Sequence, residues 1–348
     1  TYNKQTKEFY LLSVTSNALL NIRNDSVFVA AGRNNFGGGA YNEGGIFPLD
    51  ASFDDPKDIE IDNFGNVYIS GFTEQVIRKY NPQDSTIFSI AGDNLANFVN
   101  DGLGNAANFS WPWGIGLSVE GNFVIPSESH NIRLMSPDYD VTTLAGPGNV
   151  TNGYVDGAGS VARFSKPWNV YVCPQGNSYI TDGVNSAVRI VDKNGNATTI
   201  AGNPPPTGIA GFADGDQDIA RFSGLTGITA DPNTGTMYIA DRFNNLIRTI
   251  TQNKTVTLCE GLTDTLNASC SVDAVTFQWT NAATGDTVSN IATLIVDTTG
   301  IYVITITDAN GCSNSDSIIV NLIPAPIVDI NLMTPGRLDT ILGCDGDT

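Results

Sequence analysis

Three acidic turns are the first places in this sequence that could do chemistry: Asp101-Gly-Leu-Gly104, Asp156-Gly-Ala-Gly159 and Asp214-Gly-Asp216. Carboxylates on glycine-rich turns suit calcium, a hard cation that takes oxygen ligands. Asp101, Asp156, Asp214 and Asp216 are therefore the candidate metal ligands, although none has the ligand spacing of a helix–loop–helix calcium site. Because these turns recur at regular intervals, a simpler reading is that they carry the chain from one repeat to the next. Trp111, Trp113 and Trp168 are the candidates for stacking on a sugar or a protein ligand; packed inside, they would instead wedge repeats together. Asp182 and Asp241 follow similar apolar segments, but Gly71 and Pro126 take that place elsewhere, which reads as structural. The one histidine, His130, cannot build a multi-histidine metal site, and it falls in the slot that Gln75 and Asn245 hold in other repeats. Phe36-Gly-Gly-Gly-Ala40 lacks the helix and the Lys-Ser/Thr of a phosphate cradle, and no serine sits in a Gly-x-Ser-x-Gly elbow. No catalytic residue emerges, so the chain reads as non-enzymatic, with calcium the one cofactor left open.

The elements that position these residues are short strands. Among 348 residues, 36 are glycine and only 15% are charged, which suits tight turns between strands and gives an all-β reading. Seventeen basic against 36 acidic residues leave a net charge of −19. Such a surface repels phosphate backbones and anionic headgroups, so nucleic acid and membrane surfaces are poor partners. No apolar run is long enough to span a membrane as a helix. The opening residues, Thr1-Tyr2-Asn3-Lys4, carry no signal peptide, as expected if one was removed or lies outside this fragment.

Two markers repeat with one period. Ala-Gly pairs occur at Ala31, Ala91, Ala145 and Ala201, in steps of 60, 54 and 56 residues. An Ala-x-Phe element follows each, at Phe53, Phe109, Phe164 and Phe222, in steps of 56, 55 and 58. Proline comes three residues later in the first three copies, and Leu225 takes its place in the fourth. One full unit divides into four strands: Asn169–Val172, Ser178–Thr181, Ala187–Val191 and Ala197–Ala201. A single four-stranded sheet cannot cover both its faces, and radial stacking of such sheets makes a β-propeller.

These residues resemble the NHL-repeat family. Val141-Thr-Thr-Leu-Ala-Gly146 leads into Asp156-Gly-Ala-Gly-Ser-Val-Ala-Arg-Phe164 and Pro167, and Asn244-Asn-Leu-Ile-Arg248 has Arg78, Arg133 and Arg189 at matching positions. The resemblance implies an NHL-type propeller over residues 1–256, with copies at 1–56, 57–113, 114–168, 169–226 and 227–256. That is about four and a half blades, the first lacking an inner strand, where the family usually has six in an intact ring; missing upstream residues are the favoured explanation, and a smaller ring that closes by sharing strands is the alternative.

After Leu258-Cys-Glu-Gly261 the pattern changes to alternating strands with Asp, Asn and Gly turns, a β-sandwich over 257–322. Trp279 falls where an immunoglobulin-like fold places its core tryptophan, and Asp297–Tyr302 looks like a tyrosine corner. The Cys-x-Gly opening and the closing Asp308-Ala-Asn-Gly-Cys312 resemble PKD/Ig-like modules of large secreted proteins of the Bacteroidota. That resemblance implies a Cys259–Cys312 disulfide, with Cys173 and Cys270 unpaired. Gly343-Cys-Asp-Gly346 repeats the opening, so 323–348 reads as linker and the start of a second module.

Together these readings give an extracellular, type IX-secreted cell-surface protein of the adhesin, motility or appendage kind. Its propeller would be a rigid platform for protein partners, copies of itself or glycans, and its Ig-like units would be spacers. A calcium-dependent hydrolase or lyase and a carbohydrate-binding propeller are the alternatives.

Overall fold

The computed structural model describes residues 1–3, 6–32, 47–93, 98–147, 152–173, 176–202, 210–215, 219–231, 236–250, 255–259, 264–267, 274–308 and 313–323. The chain divides into two compact units, residues 1–230 with 237–250, and residues 231–236 with 251–348.

The first unit is a succession of five sheets, each an antiparallel meander. Blade 1 comprises Tyr2–Asn3, Glu8–Ser13, Ala18–Arg23 and Ser26–Ala31, and blade 2 comprises Pro56–Ile61, Val67–Gly71, Val76–Asn81 and Thr86–Ala91. Blade 3 holds Gly116–Leu117, Phe123–Ser127, Asn131–Met135 and Asp140–Ala145, with Gly102–Leu103 from the preceding linker on its outer edge. Blade 4 has Pro167–Val172, Ser178–Asp182, Ala187–Val191 and Ala197–Ala201, and blade 5 has Leu225–Ala230, Met237–Asp241 and Leu246–Ile250. Apolar residues on facing sheets form shared cores, such as Tyr10 and Leu19 of blade 1 against Val67, Ile69 and Ile87 of blade 2.

Three details differ from the sequence reading. Blade 1 does have a first strand, a two-residue stub at Tyr2–Asn3 that is too short to show alternation. The repeat boundaries at 57, 169 and 227 cut into first strands, because Pro56, Pro167 and Leu225 already pair with the second strand across a register shift. Among the described residues the last strand of blade 5 is Leu246–Ile250, and Thr255–Cys259 pairs within the second unit.

Both repeat markers have a steric cause. Gly32, Gly92, Gly146 and Gly202 all adopt positive φ, between +74° and +102°. A Cβ on them would lie 2.3–2.7 Å from the carbonyl oxygens of Asn17, Gln75, His130 and Ser186. Those four residues are themselves left-handed, in the turn joining the second and third strands of each blade. The end of the fourth strand thus lies directly on that turn, and only glycine fits. The phenylalanine of Ala-x-Phe is buried in every copy and lies under the repeat arginine. The guanidinium sits 4.8–5.4 Å from the ring in the pairs Phe53–Arg78, Phe109–Arg133, Phe164–Arg189 and Phe222–Arg248.

The second unit has a five-stranded sheet, in the order Thr255–Cys259, Ser313–Ile323, Gly300–Asp308, Ala274–Asn281 and Thr287–Ser289. Its first pair is parallel and the others are antiparallel. A two-stranded sheet joins Asp264–Asn267 to Thr293–Val296. Leu266, Leu294 and Val296 of the small sheet share a core with Trp279, Tyr302, Ile304 and Val320 of the large one. The Tyr302 hydroxyl donates back to the Thr298 carbonyl at 3.2 Å, which fixes the approach to the strand Gly300–Asp308. Cys173, in the propeller, is buried, as read from the sequence. Cys270, Cys312, Cys344, Asp216 and Phe36–Ala40 lie outside the described residues, as does the side chain of Cys259, so the Cys259–Cys312 pairing does too.

Candidate functional site

Polar and aromatic side chains gather in three places in the propeller, and the best defined is a set of buried arginines. Arg133, Arg189 and Arg248 project from third strands and reach back to the linker that precedes their own blade. Arg133 donates to the backbone oxygens of Asn108 (2.7 Å) and Asn100 (3.0 Å) and to Asp101 Oδ1 (2.9 Å). Arg189 donates to the backbone oxygens of Arg163 (3.1 Å) and Val155 (2.9 Å), and to Asp156 Oδ1 (2.6 Å) and Asp182 Oδ2 (2.9 Å). Arg248 repeats this set with Arg221, Ala213, Asp214 and Asp241. In blade 2, Arg78 pairs with the buried Glu74 at 3.0 Å.

This geometry assigns work to five of the aspartates that the sequence singled out. Asp101 accepts from Arg133 and from Thr143 Oγ1, and Asp156 accepts from Arg189 and from both donors of Thr199. Asp214 is held by Arg248. Asp182 and Asp241 are fully buried, and each also accepts the backbone N–H of the serine after the repeat phenylalanine, Ser165 or Ser223, at 2.7 Å. Burial pushes the Asp182 carboxyl up, and Arg189 opposes that shift. Among the described residues, no group of three or more His, Cys, Asp or Glu side chains is placed to hold a metal ion. In blade 3 the slot of Asp182 belongs to Ser127, not Pro126, because the turn there is one residue shorter.

A second cluster lies on the first strands. Asp58 Oδ2 accepts the Ile115 N–H of blade 3 at 3.1 Å and the Asn169 amide of blade 4 at 2.8 Å. Asn169 in turn accepts the Ile228 N–H of blade 5 at 3.1 Å. Ser70 and Thr181, on second strands, donate to the Trp113 and Thr226 carbonyls of the following blades. Blades 2 and 4 therefore carry the polar side chains, and blades 3 and 5 present Gly114 and Gly227 at the same first-strand position. A Cβ on Gly114 would come within 2.9 Å of Asn169 Cα, so its absence lets Asp58 reach across. Glu60, on the same side of the strand as Asp58, accepts the Ile61 N–H at 2.9 Å. Burial raises the Asp58 carboxyl to about 6 and the Glu60 carboxyl to about 7. The sequence reading missed both acids because neither recurs; the available signal was the Asp58/Asn169 pair with Ser70/Thr181, two blades apart.

The third place is an aromatic row at the blade entrances. Phe72 lies 6.2 Å from Trp111, near-parallel, and 5.2 Å from Trp113, and Trp113 lies 5.4 Å from Trp168. Lys57 Nζ sits 4.8 Å from both the Phe72 and Trp113 rings and 2.6 Å from Asp55 Oδ1. Trp168 is buried, its Nε1 donating to Glu128, which also binds Lys166 Nζ at 3.0 Å. Trp111 alone of the three is well exposed. His130 is a left-handed turn residue at φ +71°, its Nδ1 accepting the Lys166 N–H at 3.1 Å, and burial lowers its pKa.

No family model matches the chain. It is 27% identical over 266 residues to Protein SUPPRESSOR OF QUENCHING 1, chloroplastic, of Arabidopsis thaliana, covering 73% of this chain and 24% of that protein. It is 30% identical over 194 residues to NHL repeat-containing protein 2 of Bos taurus, covering 52% of this chain and 26% of that protein. The chain thus spans about a quarter of the length of either relative. A Bacteroides thetaiotaomicron protein of unknown function superposes with a TM-score of 0.54 at 18% identity, over 71% of this chain and 57% of that one. An auxiliary nutrient binding protein of the same species gives 0.50 at 18% identity, over 69% and 57%. With the five sheets and the repeat arginines, these likenesses make the fold an NHL-type β-propeller.

Proposed function

We propose that the chain is a non-enzymatic binding and structural module of a large bacterial cell-surface protein, of the adhesin, motility or appendage kind. The propeller is the rigid interaction platform, and the second unit is an Ig-like, PKD-type spacer. The observation that carries this reading is the arginine set: Asp101, Asp156, Asp214, Asp182 and Asp241 are all engaged in holding a linker to its blade. Chemistry that recurs from blade to blade here stiffens the ring. The net charge of −19 supports an extracellular setting and partners other than nucleic acid or membrane, namely proteins, copies of the chain or glycans. Buried Trp279 and the Tyr302–Thr298 bond support the Ig-like reading of the second unit.

A second reading, a calcium-dependent hydrolase or lyase, draws on Asp58, Glu60 and Asn169, which gather oxygen donors on the first strands. A carbohydrate-binding propeller is less favoured, because Trp168 is buried and only Trp111 offers an open ring. One experiment separates these readings. Thermal melts with saturating calcium and with chelator, alongside ester and lactone hydrolysis assays, are expected to show no shift and no turnover. Turnover that chelator removes and Asp58→Ala abolishes would overturn the non-enzymatic reading.

A further inference from the structure

The repeat arginines show how one blade differs from its neighbours. In blades 4 and 5 the carboxylate of Asp182 or Asp241 pairs with the third-strand arginine and accepts the N–H of the serine after the repeat phenylalanine. Blade 2 puts a carboxylate at the same point by another route. Gly71 holds the aspartate's place in the register, and a Cβ there would lie 3.1 Å from Glu74 Oε2. The Glu74 side chain reaches back into that space, pairs with Arg78 at 3.0 Å and accepts the Asp54 N–H at 2.6 Å. Asp54 follows Phe53 as Ser165 follows Phe164 and Ser223 follows Phe222. Three blades thus converge on one carboxylate between one guanidinium and one backbone N–H.

Blade 3 presents the donors of this arrangement without the acid. Ser127 stands in the place of Asp182, and the adjacent Glu128 bonds Trp168 Nε1 and Lys166 Nζ instead. Arg133 Nη1 donates to the Asn108 carbonyl, as Arg189 Nη1 does to Arg163, but it has no counterpart of the second bond that Arg189 Nη1 makes to Asp182. The Ser110 N–H, which matches those of Ser165 and Ser223, meets no acceptor among the described residues. Ser127 Oγ and Asn131 Nδ2 have no partner there either, and both residues, like Arg133, are 0% exposed. Ser127 and Asn131 are cross-strand partners and Arg133 lies two residues after Asn131, so the three side chains share one side of the sheet. The Asn131 amide oxygen accepts from Ser129 Oγ at 3.2 Å, which leaves Nδ2 as the unmet end.

We infer that Arg133 Nη1, the Ser110 N–H, Asn131 Nδ2 and Ser127 Oγ form a buried site for a small monovalent anion, chloride, which takes the place of the carboxylate in blades 2, 4 and 5. Serine in place of aspartate leaves room for a monatomic ion and not for sulfate or phosphate. Water suits the site less well. Three of its four groups can only donate, so both protons of a water would compete for Ser127 Oγ. Charge points the same way: Arg189 faces two carboxylates, whereas Arg133 faces Asp101 alone. Burial accordingly lowers the Arg133 pKa, and Asp101 opposes that shift. A buried cation short of counter-charge is costly, and an anion held by several donors relieves that cost.

Thermal melts of the full chain in sodium chloride and in sodium gluconate, at matched ionic strength, separate binding from screening, because gluconate is too bulky for the site. Raising chloride to about 0.2 M is expected to add about 2–4 °C to Tm beyond the gluconate series, and the gain should saturate. Ser127→Asp supplies the carboxylate within the chain; it should raise Tm in gluconate and remove the chloride response. Asn131→Leu removes one donor and adds no charge, and it should weaken the chloride response severalfold. A crystal soaked in bromide should show an anomalous peak between Arg133 and Asn131. Equal melting in the two salts overturns the proposal, as does a bromide crystal with no peak there, since the site then takes water. A chloride response that survives both variants also overturns it, because the ion then binds elsewhere.

Discussion

Blades 1 and 4 share strand register, the left-handed turn and the Ala-Gly ending, yet they hold themselves together differently. In blade 4, Arg189 ties the third strand to the preceding linker through two carboxylates and two carbonyls. In blade 1 that position is Leu20, on an open apolar face. The difference teaches that the arginine serves the linker and not the sheet. The sheet forms without it, while among the described residues the Asp-Gly turn has no other buried cation to hold it. Blade 3 is intermediate: Arg133 keeps its linker aspartate, Asp101, but Ser127 replaces the second acid.

The largest expected effect comes from breaking the blade 4 set. Arg189→Ala leaves Asp182 buried without its cation, and loss of one partner from a buried ion pair costs about 3–5 kcal/mol. Chemical denaturation should show that loss. The double variant Arg189→Met with Asp182→Asn should recover most of it, because the amide oxygen still accepts the Ser165 N–H and no charge remains buried. Equal losses in the single and double variants would refute the role assigned to Asp182.

Next in size is Gly92→Ala. At φ +91° with a Cβ 2.3 Å from the Gln75 oxygen, the substitution strains the backbone and forces the turn away, at a cost of about 2–3 kcal/mol. Gly176→Ala is the control: its φ is also positive, +85°, but its nearest neighbour is a lysine side-chain atom at 3.8 Å. The control should lose only about 1 kcal/mol. If both variants melt alike, contact with the turn is not what selects glycine at the end of the fourth strand.

Much of the propeller was legible because its constraints recur. Ala-Gly and Ala-x-Phe appear in four copies, and each copy meets the same backbone carbonyl or the same guanidinium. The Asp-Gly turns were legible as turns, but their arginine partners lie 32 to 34 residues away in sequence, and no local pattern links the two. Tyr2–Asn3 escaped notice because two residues carry no period. In the second unit, the strands around Trp279 and Tyr302 were readable from alternation, whereas Thr287–Ser289 is too short. The boundary at 256/257 cut through Thr255–Cys259, because its parallel pairing with Ser313–Ile323 lies far off in sequence. The first-strand acids were illegible because Asp58 and Glu60 face glycines, not copies of themselves, in blade 3.

Glu60 gives a smaller effect with a defined sign. Burial raises its carboxyl to about 7, above its value in the unfolded chain. The folded state therefore holds a proton that the unfolded state releases first. This contribution to stability is present below the unfolded pKa, is lost as pH rises toward 7, and is flat beyond. Glu60→Gln keeps the acceptor for the Ile61 N–H and removes the ionisation. It should raise stability at pH 7.5 by about 1 kcal/mol and flatten the slope of stability between pH 4.5 and 7. An unchanged slope would mean that the acid is solvated and ionises freely.

The smallest expected effect tests the opening comparison most directly. Leu20→Arg installs in blade 1 the residue that the other blades carry, but no described linker residue is bonded at that position for it to hold. The new side chain would extend over the exposed face beside Leu11 and Val29 and keep its guanidinium in water. Stability should therefore change by less than about 0.5 kcal/mol, in contrast to the loss at Arg189. A substantial gain would show that the arginine stabilises the third strand by itself, and the dependence on the linker would have to be abandoned. A substantial loss would show that this face of blade 1 is already covered in solution, and hydrophobic-dye binding by the parent chain would then be low as well.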